Sequence, residues 1–413
     1  MKNSKLIKNS IALYSMTIAK LIFPLLTLPY LTRILSVEVY GKVAYVKSLM
    51  SYFQVVVDFG FMLSGTKEIA ENINDKKKVG YITGEIAFAR LIIALMCFVT
   101  LLVVSFTLPI LKTFKTFTYL SFLVVVLSIF LFDYFFRGIE KMEIISLRYV
   151  LMRGISTITT FIVIKNDKDV LWIPVLDIIA SIIAIILVYK VLYRMQMQIK
   201  IRTIKYIFNE IKVSFLYFVS NMATTIFGAF NTIMIGTILN SSEVAFWSVC
   251  MQLIGAVQAL YTPITDSIYP QMIKTKNYNF IKRVELFFLP FLLIGCLFTF
   301  FMSGWILHIV AGEKYQMAAE TLKYLVPVLF FSFFAMLLGW PTLGAIGKAK
   351  EVMITTVTAA AFQVLGLLLL VVSNRFNLIT IAILRSVTEF VLAVTRKIYC
   401  EKYRNEFWNG ENG

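Results

Sequence analysis

Histidine occurs once and cysteine four times in the 413 residues, and neither is placed for chemistry. Cys97, Cys250, Cys296 and Cys400 are far apart, three of them in apolar runs, with no Cys-x-x-Cys spacing. Neither a disulfide framework nor a thiolate metal cluster is expected. His308 stands near the end of an apolar run, outside any His-Glu-x-x-His pattern, so a packed or interfacial role suits it better than that of a catalytic base. No Gly-x-x-x-x-Gly-Lys-Ser/Thr loop is present, so ATP is not the energy source within this chain. Long polar stretches are lacking too. No segment between apolar runs exceeds about 25 residues, too little for a soluble catalytic, nucleotide-binding or receptor domain. Acidic residues are few, 23 against 40 basic ones, for a net charge of +17. The lysines and arginines lie in turns rather than in one basic domain, so no nucleic-acid partner is expected.

What is abundant is hydrocarbon. Hydrophobic residues make up 59% of the chain and the mean hydropathy is +0.81. About twelve apolar runs follow one another, each long enough as a helix to cross the roughly 30 Å hydrocarbon layer. They cover approximately 9–32, 43–64, 83–108, 118–136, 144–164, 170–190, 213–235, 244–269, 284–310, 318–340, 353–373 and 378–396. The fold class is therefore all-α, a polytopic membrane protein. The first run holds Lys20 and lacks a small-residue cleavage site, so it reads as a span rather than a removed signal. With the amino terminus in the cytoplasm, cytoplasmic segments collect about 25 lysines and arginines against about eight opposite, as the positive-inside rule requires. Both termini then face the cytoplasm. Trp172, Trp305 and Trp340 fall near span ends, where interfacial aromatics belong.

The basic, amphipathic segment 191–212 divides the chain near its middle and is expected to form a helix on the cytoplasmic surface. It separates an amino-terminal lobe, 1–190, from a carboxyl-terminal lobe, 213–413. Ile34-Leu35-Ser36 followed by Glu38-Val39 resembles Ile238-Leu239-Asn240 followed by Glu243-Val244, each at the turn after the first helix of its half. Two parallel repeats, each of six helices, around a central cavity is the natural architecture.

Charges inside the spans point to the function. A cation in hydrocarbon costs about 2.5–3.5 kcal/mol even on the lenient insertion scale. Lys20, Lys47, Arg90 and Arg153 put four in the amino-terminal lobe, with Asp58 and Asp177 as the comparably deep counter-charges. They either line a wet cationic cavity that meets an anion or form separate structural pairs. Arg148, Glu85, Asp133 and Asp266 lie close enough to the cytoplasmic ends to snorkel. Arg385 and Glu389 are spaced to pair along one helix. Asn221, Asn231, Gln252, Gln258 and Gln363 make the carboxyl-terminal lobe polar but otherwise neutral; they suit sugar hydroxyls or bonds between helices equally. Asp58, Asp177 and Glu389 are the candidates for ion coupling. Prolines at 24, 29, 263, 270, 290, 327 and 341 permit bent helices.

The first hairpin also resembles a known family. Pro24-Leu25-Leu26-Thr27-Leu28-Pro29-Tyr30-Leu31-Thr32-Arg33-Ile34-Leu35, Tyr40-Gly41, Tyr52, Asp58-Phe59-Gly60-Phe61 and Lys67-Glu68-Ile69-Ala70 look like the opening of Wzx-type O-antigen flippases. Pro263-Ile264-Thr265-Asp266-Ser267-Ile268-Tyr269-Pro270 is a second match. The resemblance implies two six-helix lobes and a place beside multidrug-and-toxin exporters and lipid II flippases. It implies a non-enzymatic transporter in the bacterial inner membrane that turns an undecaprenyl-diphosphate-linked oligosaccharide from the cytoplasmic to the periplasmic leaflet. It further implies no cofactor beyond a proton or sodium gradient, and an O-antigen polymerase and chain-length regulator as partners.

Three rivals are weighed on the same residues. A multidrug-type exporter of cationic drugs calls for an acidic cavity, whereas this one is basic. A membrane polymerase or ligase usually has a large external loop, and no external turn here exceeds about ten residues. A lipid II flippase usually has two further spans.

Overall fold

The polar residues of the short turns are used at helix N-termini. Ser36 accepts from the Val39 N–H at 3.3 Å, Asp75 from Lys78 at 3.0 Å, Asn240 from Glu243 at 2.9 Å, Asn277 from Phe280 at 3.1 Å and Asn377 from Thr380 at 3.0 Å. Each cap satisfies an orphan N–H and is worth about 1 kcal/mol. Two of them, Ser36 and Asn240, are the residues that match between the halves, and each is followed by a glutamate in the first helical turn.

The computed structural model describes residues 2–202 and 204–407; side chains of 2–13 and of part of 204–227 fall outside that description. Among the described residues the regular structure is helical, with no strand. One unit, residues 1–225, contains α1 (Lys2–Ile34), α2 (Val37–Asp58), α3 (Phe61–Glu71), α4 (Lys76–Thr107), the short α5 (Pro109–Thr113), α6 (Lys115–Ser128), α7 (Asp133–Gly138), α8 (Met142–Val163), α9 (Trp172–Arg194) and α10 (Ile204–Thr225). The other, residues 226–413, contains α11 (Asn231–Ile238), α12 (Ser241–Thr275), α13 (Tyr278–Phe301), α14 (Ser303–Ala311), α15 (Ala319–Leu337), α16 (Ala349–Val372) and α17 (Leu378–Lys402). Ten stretches among the described residues are helical, long and apolar enough to cross a membrane. Of the twelve expected spans, the fifth is present as α8, whose arginines and run of serine and threonine leave it less apolar. The seventh is divided into α10, a π-helical stretch Ile226–Phe230, and α11.

The middle segment differs from expectation. Val191–Arg194 complete α9, residues 197–202 are not helical, and α10 begins at Ile204. The reason lies on α4. A Cβ at Gly80 would come within 2.1 Å of the Gln198 carbonyl oxygen, and one at Gly84 within 2.2 Å of that of Lys200. These glycines, one helical turn apart, cut a groove in which the extended chain lies. The Lys200 N–H donates to the Gly80 carbonyl at 3.3 Å. Beyond it α10 packs on α2, α3 and α4, so contacts group it with the first unit.

One proline breaks its helix outright. Pro341 has no N–H to offer the Leu337 carbonyl, and that oxygen takes the Thr342 hydroxyl at 2.8 Å instead. Gly339, at φ −73° and ψ −114°, leaves helical geometry, and a π-helical stretch runs over Leu338–Leu343.

Candidate functional site

Two intramembrane helix breaks organise the charges of the first unit. α2 ends at Asp58 because Phe59 and Gly60 both adopt left-handed backbone, at φ 41° and 79°. Gly60 is required twice over. A Cβ there would lie 2.6 Å from the Ser214 carbonyl oxygen and 2.7 Å from the Phe218 nitrogen, so only glycine lets α10 approach. Phe59 stacks on Phe218 with centroids 4.6 Å apart. Asp58 accepts a short bond from Arg90 of α4 and another from Gln54 at 3.0 Å. The second break is built alike. Phe132 is left-handed at φ 50°, Asp133 follows it, and Arg148 of α8 bonds both Asp133 and the Leu131 carbonyl, the latter at 2.8 Å. Arg90 and Arg148 are 5% and 4% exposed. Asp133 and Arg148 thus pair inside the helix bundle rather than snorkel, and Arg90 is committed to Asp58 instead of facing a substrate.

The other three expected cations behave differently. Lys20 of α1 and Lys47 of α2 are exposed, and neither is ion-paired among the described residues. Arg153 of α8 keeps half its side chain exposed and stands 3.5 Å from Asp177 of α9. Arg153 links the set electrostatically, because Lys20 and Lys47 each feel its charge and Lys47 also feels that of Asp177. Tyr149 ties it further: the Lys20 ammonium lies 5.5 Å from its ring centroid, and its side chain hydrogen-bonds Arg153. Ser156 donates to Asp177 at 2.8 Å and fixes that carboxylate. Arg153 and Lys47 therefore share the Asp177 carboxylate, while the acid that Lys20 feels, Asp133, is already bonded to Arg148. Tyr149 and Ser156 were not singled out from the sequence; their spacing of four and three residues from Arg153 along α8 is the signal that places them on its face.

The second unit corrects the expected sugar contacts. Gln363 and Asn231 are fully buried. Gln363 donates to Asn231 Oδ1 at 2.9 Å and accepts from Thr388 Oγ1 at 2.5 Å. Two amides that satisfy each other in a closed interior have nothing to offer a sugar. Gln252 and Gln258 are half-buried, and the side chain of Asn221 lies outside the described residues. Glu389 is held by Arg385 at 2.5 Å, one helical turn apart, with both side chains 7% exposed. Among the described residues no cluster of three histidine, cysteine or acidic side chains could hold a metal ion.

Glu85 also departs from expectation. It is fully buried and accepts two bonds from Arg202, at 2.7 and 2.8 Å. Arg202 belongs to the extended segment seated on Gly80 and Gly84, so a buried acid and a two-glycine groove select the same chain. Asp266, by contrast, is exposed. Near Glu85, Glu210 at the start of α10 is buried and hydrogen-bonded to Glu68; burial and then that neighbouring carboxyl push its pKa up to about 8.

These features define a multi-pass helical membrane protein. The chain is similar to the lipid II flippase MurJ in an inward closed conformation, at a TM-score of 0.74 with 16% identity, over 96% of this chain and 87% of that one. It is similar to an inward-facing multidrug resistance MATE family transporter of the MOP superfamily, at 0.70 with 15% identity, over 94% and 96%. The fold is that of the MOP superfamily. A Shigella dysenteriae protein given the provisional name of O-antigen transporter is 25% identical over 335 residues, 78% of this chain and 82% of the relative. Residues 6–276 match the model of the polysaccharide biosynthesis protein family, and the chain belongs to that family. The resemblance read from the first hairpin holds at that level, and the chain is a transporter, not an enzyme.

Proposed function

We propose that this chain is a flippase for undecaprenyl-diphosphate-linked O-antigen units. It carries them from the cytoplasmic to the periplasmic leaflet of the bacterial inner membrane by alternating access, with both chain termini in the cytoplasm. The observation that carries this reading is the set Lys20, Lys47 and Arg153, joined through the charge of Arg153. Asp177 is the carboxylate beside Arg153 and Lys47, and the acid that Lys20 feels, Asp133, is bonded to Arg148. An excess of cations in hydrocarbon is expensive unless an anion meets it. A diphosphate supplies that anion, and a sugar head group by itself does not cross hydrocarbon, since each unpaired hydroxyl costs kilocalories. A cationic drug would be repelled by the same set.

In this reading Lys20, Lys47 and Arg153 hold the diphosphate or an acidic sugar while the lipid tail stays in the bilayer. Asp177 restrains Arg153 until the substrate competes for it. Its protonation, or a sodium ion bound beside it, resets the site at the expense of a transmembrane gradient. Asp58 is the second coupling candidate, since protonating it would release Arg90. Polymerase and chain-length regulator then receive the unit on the far side.

The test is restoration of surface O-antigen in a strain lacking its own flippase, scored by the ladder of sugar lengths on a gel. Wild-type chain should restore the ladder, and neutralising all three cations together should abolish it with protein levels unchanged. An undiminished ladder from the triple variant would sink the assignment.

A further inference from the structure

Helices α12 and α13 both pack on α15 but barely touch each other. The gap between them is a cavity of about 490 Å³. Its walls are apolar: Leu253, Val257 and Leu260 on α12, Phe288 and Phe291 on α13, and Phe333 on α15 at the back. The polar atoms nearby are already used. The Tyr261 hydroxyl donates to the Leu329 carbonyl at 3.1 Å, the Thr299 hydroxyl to Gly295 at 2.8 Å, and the Cys296 thiol faces the Val326 carbonyl at 3.9 Å. Such a space offers nothing to water and suits a hydrocarbon occupant.

Shape narrows the occupant. The lining runs from Leu253 to Ile264 on α12 and from Leu322 to Phe333 on α15, which at 1.5 Å per residue makes a slot about 16 Å long along the helix axes. Spread over that length, the volume gives a mean cross-section of about 30 Å². That is room for a lipid chain, and the methyl branches of an isoprenoid fit within it. Leu260 and Phe291, at 67% and 61% exposed, open the slot onto the lipid-facing surface. Gly295 keeps it wide, because a Cβ there would meet nothing within 4 Å. At one rim the ammonium of Lys323, next to Leu322, stands 5.8 Å from the Phe300 ring centroid. Among the described residues it makes no ion pair. An apolar slot with a lone cation at its mouth is complementary to an anionic lipid.

We infer that this slot binds the isoprenoid tail of a polyprenyl-phosphate lipid, with Lys323 at its phosphate. The inference rests on the flippase reading and adds to it a docking place for the tail, away from the cationic set that takes the head group. On the topology expected from the charge pattern, Lys323 lies toward the periplasmic side, so the slot serves the lipid after its head group has crossed.

The full chain, reconstituted in nanodiscs of phosphatidylethanolamine and phosphatidylglycerol with a small fraction of undecaprenyl phosphate, carries p-benzoylphenylalanine in place of Phe291 or Leu260. After irradiation, intact-protein mass spectrometry counts isoprenoid and acyl-chain adducts. The control position is Leu369, 69% exposed on α16 and outside the slot. Isoprenoid adducts at Phe291 and Leu260 should exceed those at Leu369 by about tenfold, a 1.4 kcal/mol preference. Gly295→Phe, which fills the slot, should erase the enrichment, and Lys323→Gln should weaken it. Should Gly295→Phe misfold, Gly295→Leu carries the same arm. Adducts that mirror the bulk lipid at all three positions, or acyl adducts that dominate at Phe291 and Leu260, overturn the inference. The cell assay keeps the two ideas apart. A chain that restores surface O-antigen without enrichment refutes the slot alone, whereas enrichment in a chain that restores nothing supports the slot and refutes the O-antigen reading.

Discussion

Arg396 of α17 donates its guanidinium to the carbonyl oxygen of Ala335, the acceptor that a continuous α15 would have given to residue 339. The same guanidinium reaches Thr356 Oγ1 at 3.0 Å. It packs so close to Gly339 that a Cβ there would fall 2.7 Å from one of its nitrogens. The kink at Gly339 and the buried arginine therefore stabilise one another. Arg396→Met should lower unfolding stability in detergent by about 1–3 kcal/mol, the usual consequence of leaving a buried acceptor unpaired. Gly339→Ala should lower the melting temperature as well.

The cations of the first unit should separate into two kinds. Lys20→Gln, Lys47→Gln and Arg153→Gln should each leave folding intact while reducing O-antigen export about ten- to hundredfold, the loss of one charge-assisted contact. Arg90→Gln should instead destabilise the fold by about 3–5 kcal/mol, since it strands Asp58 without its partner. Adding Asp58→Asn should recover most of that stability. Melting curves beside the export assay distinguish the two behaviours.

The seat of the extended segment is open to the same scrutiny. Gly80→Ala and Gly84→Ala place a methyl where the Gln198 and Lys200 carbonyls lie. The segment must lift, and Glu85 loses Arg202. Faster proteolytic nicking within residues 195–203 is the expected outcome, with Glu85→Gln producing a milder version.

Glu210 makes that neighbourhood sensitive to pH. In the folded chain it holds its proton up to about 8, well above its ordinary value of 4.5. Across that interval the native state binds a proton that the unfolded state has released, so stability falls as pH rises and is retained on the acid side. Facing it are Glu68 of α3, Glu85 of α4 and Arg202, so ionisation adds a negative charge where two acids already meet one base. The melting temperature should drop between about pH 4.5 and about pH 8 and level off above, and Glu210→Gln should flatten that drop.

Much of this molecule was legible from its residues. Apolar run length located the helices, the Ser36 and Asn240 turns marked the start of equivalent second helices, and the spacing of Arg385 and Glu389 foretold their pairing. Burial was not legible, because a charge near a helix end reads the same whether it snorkels or pairs. Arg148 and Glu85 found partners 15 and 117 residues away, and no local pattern announces such pairs. The amides erred for the same reason: Gln363 and Asn231 sit 132 residues apart. Asp58-Phe59-Gly60, visible as a family signature, gains a physical meaning in the left-handed turn that aims Asp58 at Arg90. The glycines at 80 and 84 were the overlooked cue for the middle segment.

The caps at Ser36 and Asn240 use different side chains to perform one task. The Lys20, Lys47 and Arg153 set of the first unit, by contrast, is matched in the second by the buried amides Asn231 and Gln363 and an arginine paired along its own helix, Arg385 with Glu389. A module copied once and then specialised would diverge in this way, conserving its punctuation and rewriting its vocabulary. Exchanging Ser36 for asparagine ought therefore to be silent, whereas transplanting a lysine from one half to the other ought not.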